Sequence, residues 1–283
     1  MAATSEMARD SVHAIWRYPV KSMMGEEISI AEVTPRGLAG DRAYALVDKA
    51  SNRAAVVRTW AARLLNYRAE FVGEPNPDLP VPIVRITCPD GVVLTGSLSD
   101  IDGRLSAAFD RALSLMSIAP AGLLVELPAG TLGGKLTNVT EVPLAGAAPP
   151  GTFFDYACVH LIATSTIDHL QSAYPKGQFD VRRFRPNLVI RTQGEPFIDN
   201  SWAGRMLAIG NHVVLRASIP CPRCVNTTLP QGDLSHDTGI LRTIAQHNMR
   251  DLGDFGKLPC AGVYADVVQS GSVRCGDTVR CLD

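Results

Sequence analysis

At 283 residues with 46% apolar side chains, the chain can bury one large core or two ordinary ones without disulfide or metal staples. Its 27 basic and 28 acidic residues leave a net charge of −1, which excludes a global basic field for nucleic acid or an anionic membrane surface. The opening stretch MAATSEMARDSVHAIW has no apolar core of signal length. No later run reaches the roughly 20 apolar residues of a membrane helix, so a soluble, cytoplasmic protein is expected.

Alternation opens the chain. Residues 12–18 (VHAIWRY), 27–33 (EISIAEV) and 43–47 (AYALV) read as three strands, separated by turns rich in Pro and Gly. Residues 59–67 are helix-compatible, and 83–88 with 92–95 read as a hairpin around Pro89, Asp90 and Gly91. An amphipathic helix is expected over 102–113, capped by Ser99. The Gly, Ala, Thr and Pro of residues 128–151 suggest a long surface connection and a domain boundary. Beyond it, YACVHLI reads as a strand, and Thr164 or Ser165 could cap a helix running to about Tyr174. Further strands are expected at 184–191, 205–209, 213–219, 262–268 and 278–281, with GILRTIAQHN as the late helix. Many short strands with few helices favour a β-rich α+β fold with a closed or nearly closed barrel.

Seven cysteines, an odd number scattered along the chain, do not form a disulfide framework. Two of them, Cys221 and Cys224, end an alternating run in IPCPRCVNTTLPQGDLSHDTG, with Arg223 beside them to favour a thiolate. One CxxC supplies too few ligands for structural zinc, and VNTTLPQGD is a poor helix opening for thioredoxin chemistry. A soft-metal ligand, a nucleophile or a pair of packed thiols remain. Arg223, Asn226, Thr227 and Thr228 give this pair polar company that packing does not require.

Three basic stretches accompany it. Lys21 and Ser22 follow a proline turn, Arg42 follows Gly40 and Asp41, and VRRFRPN places Arg182, Arg183 and Arg185 at the entry to an expected strand. Each alone is compatible with a solvated surface. In an extended strand Arg183 and Arg185 would share a face, so two of the three arginines could converge on one anion. No glycine-rich phosphate loop is present as another route to a phosphate.

With these residues the chain resembles a known family. IWRYPVKSMMGEEISIAEVTPRGLAGDRAYALVD is similar to the start of proteins with an N-terminal MOSC-associated domain. FRPNLVI, SWAGRMLAIG, CPRCVNTTLPQGD, DTGILRT and LPCAGVYADVVQSGSVRCGDTV are similar to successive blocks of a MOSC domain, as in enzymes related to the mitochondrial amidoxime-reducing component and its bacterial counterparts. The resemblance implies a molybdenum cofactor, a pterin dithiolene with a terminal phosphate, ligated through Cys224 of the RCxxTT pattern. It also implies that Lys21, Ser22, Arg42, Arg185 and Asn187 hold the pterin and phosphate, helped by Arg223 and by Thr164, Ser165 and Thr166 at a helix start.

If those residues meet, the first strands lie against the late barrel. Residues 1–44 and 150–283 then form a MOSC-type β-barrel, and 45–149 an inserted α+β subdomain; a sequential division near 140 is the other arrangement. The implied activity is reduction of hydroxylamines, amidoximes or N-oxides. Cys260, Cys275 and Cys281 are too widely spaced for a ferredoxin module, so electrons are expected from a separate ferredoxin, flavoprotein or b-type cytochrome. Two other readings remain: a cofactor or sulfur carrier using a persulfide on Cys221 or Cys224, and a β-rich interaction domain. Asp233, His236 and Asp237 lie in the adjacent loop without an assigned role, and that loop departs from the shorter VDPDTG-like loop of the amidoxime-reducing branch.

Overall fold

The computed structural model describes residues 10–58, 61–120, 122–128, 139–143 and 148–282. Among the described residues strands dominate, with three α-helices at Leu98–Phe109, Thr164–Ala173 and Thr238–His247. None of the described helices is long and apolar enough to cross a membrane.

The largest sheet interleaves the two ends of the chain. Ser11–Arg17 pairs antiparallel with Leu188–Arg191, which runs parallel to Val159–Ala163; the ladder continues through Lys257–Gln269, Val213–Pro222 and Met206–Ile209 to Val279–Leu282. Backbone hydrogen bonds then tie the last strand back to the first: Val12 N donates to Asp277 O and Val279 N to Asp10 O, both at 2.8 Å. This seam brings an otherwise open ladder nearly full circle, and it leaves few free edges. Ile15, Leu161, Leu188, Leu215 and Val263, all 0% exposed, fill its interior. A three-stranded sheet adds a second tie, pairing Ile30–Thr34 with Gly271–Arg274.

A separate core lies under the middle of the sequence. Ala45–Asp48 joins Leu113–Met116 and Arg53–Ala54 in a five-stranded sheet, and Arg68–Phe71, Val84–Thr87 and Val93–Leu94 form a three-stranded one. Leu64, Ile86, Ile101 and Leu105 pack between them, together with Val20 and Met23 from the first turn. Val20 and Met23 therefore anchor the segment carrying Lys21 and Ser22 between the two cores.

Several local expectations are corrected. The first helix starts at Leu98 and ends at Phe109, because Ser97 rather than Ser99 caps it by accepting from Asp100 N at 3.3 Å. Asp102 is occupied elsewhere, accepting from Leu115 N at 2.6 Å and Ser114 Oγ at 2.8 Å. The helix Thr164–Ala173 has no side-chain cap of its own; Asp199 Oδ2 instead accepts from Ala163 N at 3.2 Å. Of the helix-compatible stretch, Ala62–Asn66 forms a 3-10 turn, while 59 and 60 lie outside the described residues. Within the expected surface connection, Val139–Pro143 is a strand paired with Leu124–Pro128; 129–138 and 144–147 are outside the described residues.

Candidate functional site

The strand Val213–Pro222 loses register against Lys257–Gln269 between Ala217 and Pro220 and again before Pro222, where prolines supply no N–H for the ladder. The chain leaves the sheet there and turns at Cys224 into a 3-10 helix, Val225–Thr228. Thr227 donates to Cys224 O through its backbone N at 3.2 Å and its hydroxyl at 3.0 Å, and Thr228 Oγ1 donates to Val225 O at 2.8 Å. The two threonines thus hold the turn that presents Cys224, rather than offering donors to a ligand.

Cys224 opens onto a cleft whose empty space, open mouth included, is about 840 Å³. Lys21, Ser22, Arg42, Arg185, Asn187 and Arg223 also line it. Residues 21 and 42 come from the first turns and 185, 187, 223 and 224 from the second half, so the interleaved sheet makes the site. Thr164 and Ser165 are not among its lining residues. Their hydroxyls are engaged beside the helix start, Thr164 Oγ1 accepting from Thr192 N at 3.2 Å and Ser165 Oγ donating to Glu195 O at 3.2 Å.

Two like charges are stacked on one ring. The guanidinium carbons of Arg42 and Arg185 lie 4.5 and 4.3 Å from the centroid of buried Tyr18, whose π-face attracts both cations. Arg185 donates to Met23 O at 2.6 Å, and burial followed by repulsion from Arg42 lowers its pKa to about 10. Arg42 keeps its proton more tightly than usual: burial opposes the charge, but the adjacent Asp41 carboxylate outweighs it. Ser22, Arg42 and Arg185 have φ of 69°, 46° and 53°, a backbone region that non-glycine residues adopt uncommonly.

Lys21 is 4% exposed and donates to Phe153 O at 2.9 Å and Asp155 Oδ1 at 2.6 Å. Burial lowers its pKa, and Asp155 partly restores it. For Asp155, burial would raise the pKa, but Lys21 with Arg58 and Arg42 brings it down to about 2. Its side chain is still 59% exposed at the cleft mouth, so solvent screens that pairing. Asn187 faces the cleft with its amide already engaged: Oδ1 accepts from His160 N at 3.1 Å, and Nδ2 donates to Asp41 Oδ2 at 2.9 Å and Trp16 O at 3.3 Å. It positions the walls.

The two cysteines have different surroundings. Arg223 points its Nη1 at Cys221 Sγ, 2.9 Å away, and its Nη2 at Phe184 O, 2.7 Å away. Cys221 is 0% exposed, and burial pushes its thiol up despite Arg223 and Tyr264. Cys224 is half-buried at the cleft wall.

The arginine run does not form a strand. Val181–Arg183 is a 3-10 turn and the strand starts only at Leu188, so the two-residue alternation expected there does not apply. Arg183, 1% exposed, donates to four carbonyls, those of Gln178, Thr227, Leu229 and Ser235, at 2.8, 3.1, 3.3 and 2.7 Å. It clamps the Cys224 loop in place. Arg182 pairs with Asp180 and Asp233, while Asp237 caps the last helix by accepting from Gly239 N at 2.7 Å. Asp233 and Asp237 therefore have structural partners.

Asp155, His160 and Tyr264 line the cleft and escaped the sequence reading because they sit inside apolar strand-like runs. Only FFDY, with a carboxylate between aromatics, carried a signal. His160 is buried; removal from water and then Arg223 depress its pKa well below normal, so its imidazole is neutral. Removal from water and then Cys221 hold the Tyr264 hydroxyl protonated, well above its ordinary range.

Residues 9–106 match the MOSC N-terminal beta barrel domain and 150–280 the MOSC domain. The chain is 32% identical over 139 residues to the mitochondrial amidoxime reducing component 2 of Rattus norvegicus, a match spanning 46% of this chain and only 38% of that protein's length. It is 24% identical over 293 residues to the mitochondrial amidoxime-reducing component 1 of Mus musculus, covering 96% and 82%. It is 26% identical over 296 residues to the mitochondrial amidoxime reducing component 2 of Homo sapiens, covering 95% and 82%. Among solved structures, the YuaD protein from Bacillus subtilis superposes with a TM-score of 0.45 at 9% identity, covering 96% of this chain and 94% of that one.

Proposed function

The chain belongs to the proteins that join a MOSC N-terminal beta barrel domain to a MOSC domain, and from that premise we propose that it is a molybdenum cofactor-dependent reductase of N-oxygenated small molecules. One observation carries the reading: a reachable thiol, Cys224, opens onto a cleft also lined by the basic side chains of Lys21, Arg42, Arg185 and Arg223, with the carboxylates of Asp155 beside Lys21 and Asp41 beside Arg42. Such an excess of desolvated positive charge is stabilised by an anionic ligand, and guanidinium forks suit a phosphate. Arg223 Nε and Asn226 Oδ1 are buried without a partner, so donor and acceptor capacity is available beside Cys224.

The residues fit a phosphate-bearing pterin with a thiolate-accepting metal. Cys224 would supply the thiolate, Arg42 and Arg185 the anion contacts, and Arg223 a fixed positive charge at the Cys224 turn. When bound, that group supplies the two-electron chemistry that cleaves an N–O bond. The protein's contribution is placement: Tyr18 holds two cations side by side, and Arg183 and the two threonines hold the cysteine turn. Neutral His160 and protonated Tyr264 leave that wall of the cleft without charge at neutral pH. Electrons come from a separate redox protein in this proposal.

The test is elemental and pterin analysis of protein made in a cofactor-competent host, followed by assay with a reduced dye and benzamidoxime. One molybdenum per chain is expected in wild type and in Cys221→Ser, with loss in Cys224→Ser. Equal retention in both variants overturns the ligand assignment. Stoichiometric molybdenum without N–O reduction across hydroxylamine, amidoxime and N-oxide substrates overturns the reductase and leaves a carrier of the cofactor.

A further inference from the structure

One wall of the cleft is aromatic rather than cationic. Tyr264 and Tyr156 both line it, with ring centroids 5.4 Å apart and planes tilted by 35°. Tyr156 in turn meets Phe255 edge-on, at 5.9 Å and 85°. The rings thus form a row that leads from the cleft interior to the surface. Its outermost member is 57% exposed.

Phe255 stands there by construction. It closes the 3-10 turn Gly253–Phe255 at the tip of the hairpin that joins Met249–Asp251 to Lys257–Gln269. Leu252 N bonds to Gly256 O at 3.0 Å and Gly256 N to Gly253 O at 2.8 Å, so the tip is cross-linked. Gly253 and Gly256, at φ 63° and 73°, supply the left-handed backbone that the tip requires. A phenyl ring left mostly in water adds little to the core. Phe255 is not itself a lining residue of the cleft and meets it through Tyr156, which is. The cleft therefore holds two chemistries, cations for an anionic group and, along the Tyr264–Tyr156–Phe255 row, ring faces for an apolar planar one.

We propose that Tyr156 and Phe255 form an aromatic subsite for the planar aryl substituent of the substrate, so that the protein selects aryl over alkyl N-oxygenated compounds. The inference rests on reading the cleft as a reductive site. An aryl group contacting these rings does so equally before and during reaction, so the preference appears in KM rather than kcat. About a ten-fold effect is the order expected for one added aromatic contact.

The experiment compares molybdenum-loaded wild type with Phe255→Ala and Tyr156→Leu, using benzamidoxime and acetamidoxime. In both variants KM for benzamidoxime is expected to rise about ten-fold with kcat unchanged, while KM for acetamidoxime and the molybdenum content stay at wild-type values. A second readout needs no turnover: the 19F line of 4-fluorobenzamidoxime broadens with wild type, is restored by excess benzamidoxime but not by equal acetamidoxime, and stays sharp with Phe255→Ala. If no substrate is reduced yet the 19F pattern holds, the reductase reading falls and the subsite stands. Equal KM changes for both substrates, unaltered broadening in Phe255→Ala, or loss of molybdenum from that variant each overturn the subsite.

Discussion

Arg183 and Arg185, two positions apart, divide the work of a cationic site between holding the protein and facing a ligand. Arg183 is saturated by four carbonyls, whereas Arg185 has its pKa lowered by burial and by Arg42. A buried acid elsewhere records the same kind of tension. Asp199 is 0% exposed, and burial raises its pKa to about 6, with hydrogen bonds from Ala163 and Thr166 offsetting part of the rise. Between its ordinary 3.8 and about 6 the folded chain binds more protons than the unfolded one, so stability falls as pH rises through that window. The full penalty above it is at most about 3 kcal/mol. Buried neutral His160 acts with the opposite sign, gaining stability as pH rises toward 6.5, and it overlaps this window. Asp199→Asn separates the two, because its side-chain oxygen can still accept from Ala163 N. Urea denaturation of the variant is expected to lose the decline between pH 4 and 6 and to gain about 2 kcal/mol at pH 7.5. A wild-type slope in the variant would assign the titration to another group.

At the scale of elements, Gly262 shows what one strand needs in order to lie beside another. Within Lys257–Gln269 it has φ 84°, and a methyl group there would stand 2.3 Å from His160 Nε2 and 2.5 Å from Leu161 O. Gly262→Ala should therefore lower stability by roughly 2–4 kcal/mol, seen as a lower urea midpoint with unchanged slope. An unchanged midpoint would mean that the two strands can move apart. Strands with apolar alternation were legible: residues 12–18 and 83–88 anticipate Ser11–Arg17, which is buried on both faces from Ala14 on, and Val84–Thr87, which buries one. The 3-10 turn Val181–Arg183 was not, because VRRF carries apolar ends like a strand while Asp180 caps it, accepting from Arg182 N at 2.9 Å. Lys21, Arg42, Arg223 and Cys224 stood out as chemistry-bearing residues in turns. His160 and Tyr264 did not, since a polar residue inside an apolar run shows its purpose only when the neighbouring strand is known. Those two face each other through the pairing of Val159–Ala163 with Lys257–Gln269, about a hundred residues apart.

For the whole molecule, the position of the cleft makes the two ends of the chain interdependent. Ser11–Arg17 lies between Glu26–Ile28 and Leu188–Arg191, and Ile30–Thr34 lies against Gly271–Arg274. Val12, Ile15, Ala31, Val33 and Leu38 share one core with Leu161, Leu188 and Val263. A fragment of residues 150–283 would lose all five of those apolar partners and gain an unpaired edge along Leu188–Arg191. It would also lack Lys21 and Arg42, leaving Arg185 without the ring of Tyr18 that holds it. We expect this fragment to show poor amide dispersion by NMR and no cooperative melt, and co-expression with residues 1–149 to restore both. A fragment that melts cooperatively alone would show that the N-terminal strands complete the cleft without being required for the late sheet to fold. Failure of both arrangements would instead point to chain connectivity between 128 and 150 as part of what registers the seam, a length-dependent cost of closing two distant halves on one another.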